Sequence, residues 1–293
     1  MKFCFWVSHR QLIGLGTVAT RHSEAYFSGV RKNCYFNYEE TVKMGDQNRP
    51  LLYKNLKSIL DVFDDPENKK VKGVSELMEI FLSTKLQHQD IADENKKHPL
   101  IVLEGLDGSG KTTVGKRFSK KINAQTWKTP PESIGHIRHL FDNHPVLRTA
   151  YYSLGNYIAA YEVQSLLKYS PVLMDRYWHS TAAYAIAQYV QDHPEYPMPA
   201  EGDPIYKWPE DLFKPDIVIF LNVSEEVRKQ RQSRRTNITV QEDMLNSDLK
   251  FRQNVIQAYK NMSSPGVHVI NGDLGFGPVF GQIQTATRDI LHT

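Results

Sequence analysis

Residues 99–114 read PLIVLEGLDGSGKTTV. The apolar run Leu100–Leu103, preceded by a proline and followed by Glu104-Gly105, has the length and composition of a buried strand. Directly after it, Gly105-Leu106-Asp107-Gly108-Ser109-Gly110-Lys111-Thr112 matches GxxxxGK[ST], the pattern of a phosphate-binding loop. Glycine lets such a loop curl tightly and bring its N–H groups against phosphate oxygens with no Cβ in the way. Lys111 can then reach the β- and γ-phosphates, and the Thr112 hydroxyl can hold Mg²⁺. Val114, Phe118 and Ile122, at i, i+4 and i+8, open a helix whose positive end points at the same phosphates. Gly105, Asp107, Gly108, Ser109, Gly110, Lys111, Thr112 and Thr113 are thus the candidate nucleotide-binding residues.

Working outward from this loop, apolar runs at 100–104, 124–127, 172–175, 216–223 and 267–270 predict five short strands. Helical patterns at 133–141, 146–168, 180–189, 225–234, 241–262 and 278–291 lie between them. Strands alternating with helices predict an α/β fold: a parallel five-stranded sheet of the P-loop type, covered by helices on both faces. Ligands of such sheets sit beyond the carboxyl ends of the strands, so functional residues should follow each strand directly.

Upstream, Leu52, Leu56, Ile59, Leu60 and Phe63 recur at helical spacing over 49–64, and Leu77, Met78, Phe81 and Leu82 do so over 75–86. The polar run 90–98 and Pro99 predict a boundary, with a mostly helical extension over 24–98 and the main domain over 99–293. Residues 1–23 contain no Asp or Glu but carry Lys2, Arg10 and Arg21 with Ser8, Thr17, Thr20 and Ser23. That is the composition of an organelle transit peptide, and equally of a plain basic N-terminus.

A chain of 293 residues buries a full core, and its 40% hydrophobic and 24% charged content is that of a globular protein. The net charge of +3 is too small to argue for nucleic acid. Cys4 and Cys34 make no metal spacing and no disulfide framework, and no apolar run approaches the roughly 20 residues of a membrane helix.

Past the third strand stands Asp175-Arg176-Tyr177. A carboxylate at a strand end beside a phosphate loop is a candidate Mg²⁺ partner, and Arg176 offers a planar fork suited to phosphate. A simple Asp–Arg salt bridge is the structural alternative. Past the fourth strand, Arg228, Arg231 and Arg235 fall at i, i+3 and i+7 on one face of a helix that begins with acids. They can neutralise charge on a transferring phosphoryl group, or form a solvated basic face. On the long helix that Pro145 begins, Tyr152, Asn156 and Tyr157 are candidates to stack on a base and read its edge; core packing is the alternative. Arg138 is a further candidate anion contact.

LEGLDGSGKTT, DRYWHSTAAYA and LNVSEEVRKQR, in this order and spacing, resemble the thymidylate kinase family of nucleoside monophosphate kinases over about residues 99–293. KTPPESIG, YYSLGNYI, WPEDLFKPD and FRQNVIQAY are similar to elements of its mitochondrial UMP-CMP kinase branch. The resemblance implies a P-loop kinase core that uses ATP and Mg²⁺, acts on a nucleoside monophosphate and is located in mitochondria, with a homodimer common in the family. Lys111 and Thr112 would handle ATP phosphates and Mg²⁺, with Asp175 near the metal. Arg176 would grip the acceptor phosphate beside Tyr177, Asp107 would face the acceptor sugar, and Arg228, Arg231 and Arg235 would belong to the lid.

Two departures from the family pattern carry consequences. Some thymidylate kinases place an arginine in the loop directly after the aspartate, where this chain has Gly108; the lid arginines would then supply that cation. Thymidylate kinases usually follow the helix asparagine with an arginine that reads the thymine carbonyl, where this chain has Tyr157. A hydroxyl donates or accepts, which permits uracil and cytosine. The expected activity is phosphorylation of CMP, UMP, dCMP and dUMP. The rivals are a thymidylate kinase acting on dTMP and a nucleotide-binding protein without transfer activity.

Overall fold

A computed structural model describes residues 49–88, 96–232 and 248–291. The expected transit segment, both cysteines and Arg235 lie outside the described residues.

The chain enters through α1, Leu56–Asp64, whose start is fixed by the Asn55 side chain accepting from the Ser58 N–H. Helix α2, Val74–Gln87, follows. Strand β1, Leu100–Glu104, is buried along its whole length, and the phosphate-loop motif leads into α3, Lys111–Lys121. Next come β2, Gln125–Lys128, α4, Pro145–Leu166, β3, Val172–Asp175, and α5, Trp178–Asp192. Strand β4, Ile217–Asn222, leads to α6, Glu225–Gln232. Then α7, Leu249–Asn261, β5, His268–Asn271, and α8, Phe276–Leu291, complete the fold.

The five strands form one parallel sheet in the order β2-β3-β1-β4-β5, as the alternation of patterns predicts. Side chains alternate along β1: Leu100 and Val102 face one apolar cluster, and Ile101 and Leu103 face the other. Both faces are therefore covered, which is why the run reads as continuous hydrophobicity. The predicted helix over 133–141 is instead a single turn, Glu132–Gly135, followed by a 3₁₀ turn, Arg138–Phe141.

The upstream helices are not loosely attached. Ile59 and Phe63 of α1 and Leu77 and Phe81 of α2 are buried in the same cluster as Leu147, Leu154 and Ile158 of α4. The described part of the expected extension thus shares a core with the sheet domain.

Candidate active site

The loop after β1 is built as its glycines require. Gly105 has φ +145, and a Cβ there would stand 2.8 Å from the Leu221 carbonyl oxygen of β4. Gly110, at φ +96, turns the chain into α3. Any other residue would strain or block the loop.

A cleft of about 170 Å³ opens over this loop, lined by Asp107, Gly108, Gly110, Lys111, Thr112, Lys128, Thr129, Asp175 and Arg176. Three strand ends meet there, those of β1, β2 and β3, as the rule for parallel sheets requires. Lys128, which ends β2, and Thr129, which follows it, were missed by sequence reasoning; the same strand-end rule was the signal that could have found them.

Lys111 is buried and donates to the carbonyl oxygens of Gly105 and Leu106 at 2.8 and 3.1 Å. Burial first, and then the nearby Arg176 cation, lower its pKa to about 8, against the opposing pull of Asp175, Asp107 and Glu104. Arg176 sits at φ +68, a left-handed conformation rare for a residue with a side chain. Its guanidinium donates from Nη2 to Asp107 at 2.9 Å and from Nη1 to the Ser180 hydroxyl at 3.0 Å. The turn therefore aims the fork back over the loop, and the site brings Asp107, Asp175 and Arg176 together with Lys111 and Thr112.

The Asp175 Oδ1 atom is buried and has no hydrogen-bond partner, and Thr112 faces the same cleft. A carboxylate oxygen and a threonine hydroxyl at one cleft suit a Mg²⁺ ion, which keeps several waters and phosphate oxygens in its shell. Among the described residues no cluster of three or more His, Cys, Asp or Glu makes a dedicated metal cage.

A second depression of about 340 Å³ adjoins the loop, lined by Gly108, Ser109, Gly110, Thr113, Val114, Leu221, Arg231, Gly272, Leu274, Phe276 and Val279. It is larger and more apolar than the first, which suits a planar base. Arg231 donates to the carbonyl oxygens of Ser109 and Gly272 at 3.0 and 2.8 Å. It ties the loop to the segment after β5.

Several expected site residues stand elsewhere. Arg228 is fully buried and paired with Glu225 at 3.1 Å, and Glu225 also takes Arg252 at 2.8 Å. Arg228 is therefore part of the core and not a cation for the cleft: the acid one turn earlier captures it. Of the three expected lid arginines, only Arg231 is brought to the loop among the described residues. Tyr157 is 3% exposed, and its hydroxyl donates to Asp211. The Tyr177 ring is buried and its hydroxyl donates to the Phe213 carbonyl at 2.9 Å. Neither hydroxyl is available to a base or phosphate. Asn156 is 1% exposed and donates to the Thr181 hydroxyl at 3.0 Å. Arg138 donates to the Tyr152 hydroxyl at 3.0 Å, so these two are brought together, but neither lines the cleft.

Comparison with known proteins agrees with this layout. A family model described as thymidylate kinase matches residues 103–274. The chain is 41% identical over 214 residues to UMP-CMP kinase 2, mitochondrial, of Homo sapiens, covering 70% of this chain and 47% of that protein. This chain thus spans about half the length of that relative. A probable thymidylate kinase of Methanococcus maripaludis is 30% identical over 193 residues, 62% of this chain and 83% of its own. The solved structure of thymidylate kinase from Candida albicans shares the fold, with a TM-score of 0.51 and 21% identity over 67% of this chain and 94% of that one. Among the described residues, no helix is long and apolar enough to cross a membrane.

Proposed function

The chain belongs to the thymidylate kinase family, and from that premise we propose that it transfers the terminal phosphoryl group of ATP to pyrimidine nucleoside monophosphates. CMP, UMP and their deoxy forms are the acceptors, ahead of dTMP. The observation that carries this is the Arg176 guanidinium, held by Asp107 at the open edge of the phosphate loop. A phosphate loop alone serves any nucleoside triphosphatase. A planar cation facing it across a small polar cleft provides a seat for a second, phosphorylated substrate.

Two things favour the UMP-CMP kinase branch. Identity to the human UMP-CMP kinase is 41%, against 30% to the archaeal relative. No arginine occupies the position after Asn156, and Tyr157 is turned to Asp211. The branch and the acid-free first 23 residues also support a mitochondrial location.

The chemistry needs little from acids or bases, because an acceptor phosphate is ionised at pH 7. Catalysis is alignment and charge neutralisation. The loop N–H groups and Lys111 cradle the donor phosphates, and Lys111 exchanges two neutral carbonyl acceptors for an anion. Arg176 orients the acceptor phosphate, with Lys128 and Thr129 at the cleft wall. Arg231 and the apolar residues beside it hold the donor base. Thr112 and Asp175 would hold Mg²⁺, which neutralises phosphate charge when bound.

The test is a turnover panel with ATP, Mg²⁺ and CMP, UMP, dCMP, dUMP or dTMP. Cytidine and uridine acceptors should give the higher kcat/KM. Turnover of dTMP alone would overturn the base assignment. ATP binding with no product from any acceptor would favour a nucleotide-binding protein without transfer.

A further inference from the structure

Glu104 ends the central strand β1 fully buried, and four donors converge on its carboxylate. Oε1 accepts the N–H groups of Tyr177 and Ser180 at 2.9 and 3.2 Å. These donors open helix α5, whose N-cap residue Tyr177 supplies no side-chain acceptor. Glu104 thus caps that helix from the neighbouring strand. Oε2 accepts the hydroxyls of Ser180 and Tyr259 at 2.6 and 2.9 Å, and those two oxygens are 2.8 Å apart. Ser180 Oγ is also the acceptor for Nη1 of Arg176.

We propose that Glu104 is the positioning residue of the acceptor end: by capping α5 and fixing Ser180 together with Tyr259, it holds the Arg176 guanidinium over the phosphate loop. The turn it secures is the one that carries Arg176 at a positive φ, a conformation that costs energy and persists only when its surroundings enforce it. The Arg176 fork is then gripped from two sides, by Asp107 through Nη2 and by Ser180 through Nη1. A carboxylate is suited to this place because it accepts about four hydrogen bonds and donates none. A glutamine would present an NH₂ to two of the four donors, and an aspartate is one methylene short. Tyr259 brings a third element, α7, into the same contact; its ring stacks on Phe220 of β4 at 4.6 Å, so its hydroxyl is aimed by packing.

The kinetic part of this inference rests on the proposed kinase activity; its geometric part does not. The test uses the full chain with ¹⁵N-labelled arginine and three variants, Glu104→Gln, Ser180→Ala and Tyr259→Phe. The last two keep the experiment informative if the first does not fold. In the wild type the Nη protons of Arg176, assigned through Arg176→Lys, should be resolved and slow to rotate. In Ser180→Ala they should average, and in Tyr259→Phe they should broaden. With ATP, Mg²⁺ and CMP or UMP, the acceptor KM should rise about tenfold, as for loss of a hydrogen bond to a charged group. The ATP KM should stay within about twofold. Unchanged Arg176 signals and unchanged KM values, with only a lower melting temperature, would reduce Glu104 to a core residue and overturn the proposal. Altered Arg176 signals in a protein whose wild type turns over no monophosphate would uphold the positioning role and refute the kinase reading.

Discussion

The Tyr157 hydroxyl donates to Asp211, and the Asp211 carboxylate also accepts the Leu56 N–H at the start of α1. The position at which a base-reading side chain was expected is instead a joint. It fastens the upstream helices to the long helix α4 and to the segment before β4. Burial first, and then the Asp211 carboxylate, push the Tyr157 phenol pKa far up, so the group is a neutral donor at every working pH.

Tyr157→Phe removes that donor and leaves the ring in place. It should lower stability by about 1–2 kcal/mol, the loss of one hydrogen bond to a charged acceptor. The relative kcat/KM for CMP, UMP and dTMP should not change. Denaturant unfolding and the acceptor panel check this together, and a shifted acceptor preference would return Tyr157 to the base site.

Arg228 and Arg231, three residues apart on α6, should separate in their effects. Arg228→Ala leaves Glu225 with one fewer buried partner and opens space in the core. It should cost about 2–3 kcal/mol of stability with both substrate KM values retained. Arg231→Ala breaks the bridge from Ser109 to Gly272 and should raise the ATP KM about tenfold, with little change in acceptor KM. Melting curves and steady-state kinetics on both variants would show whether the two roles are reversed.

Lys111 gives a pH signature. Its pKa of about 8 lies below the usual lysine value because the side chain is buried and Arg176 is near. Phosphate should raise it by offering an anion. ATP binding should therefore take up a proton at about pH 8.5 to 9 and almost none at pH 6.5, where Lys111 is already protonated. Calorimetry in buffers of different ionisation enthalpy measures this uptake. The same shift acts on folding: above pH 8 the unfolded chain holds a proton on Lys111 that the folded chain has lost. The Lys111 contribution to stability should thus rise with pH from about 8 to 10.5. Lys111→Ala should also cut turnover by several orders of magnitude.

The shared core of α1, α2 and α4 predicts a large packing effect far from the cleft. Phe63 is fully buried, and Phe63→Ala should cost about 3–5 kcal/mol. A protein trimmed to residue 99 should expose the apolar face of α4 and lose cooperative unfolding. Chemical denaturation followed by tryptophan fluorescence tests both; an unaffected trimmed protein would show the upstream helices to be dispensable.

Much of the fold and part of the site are legible in the sequence because they rest on local rules. Residues 99–114 carry a buried strand, a loop that only glycine can build and a helix start, all within sixteen positions. The alternating runs then dictate a parallel sheet, and its strand-end rule places Asp175 and Arg176 beside Lys111. Tertiary structure alone decided which side chains are free to act. Arg228 and Arg231 look alike in sequence, yet Glu225, which also takes Arg252, holds the first in the core. Tyr157 is separated from Asp211 by 54 residues, and Glu104 from Tyr259 by 155. No periodicity encodes such partners. A buried donor takes whichever acceptor the packed chain brings within reach, because leaving it unpaired costs more than any local preference supplies. The phosphate loop could therefore be read directly, whereas the residues that hold Arg176 over it could be found only in the folded chain.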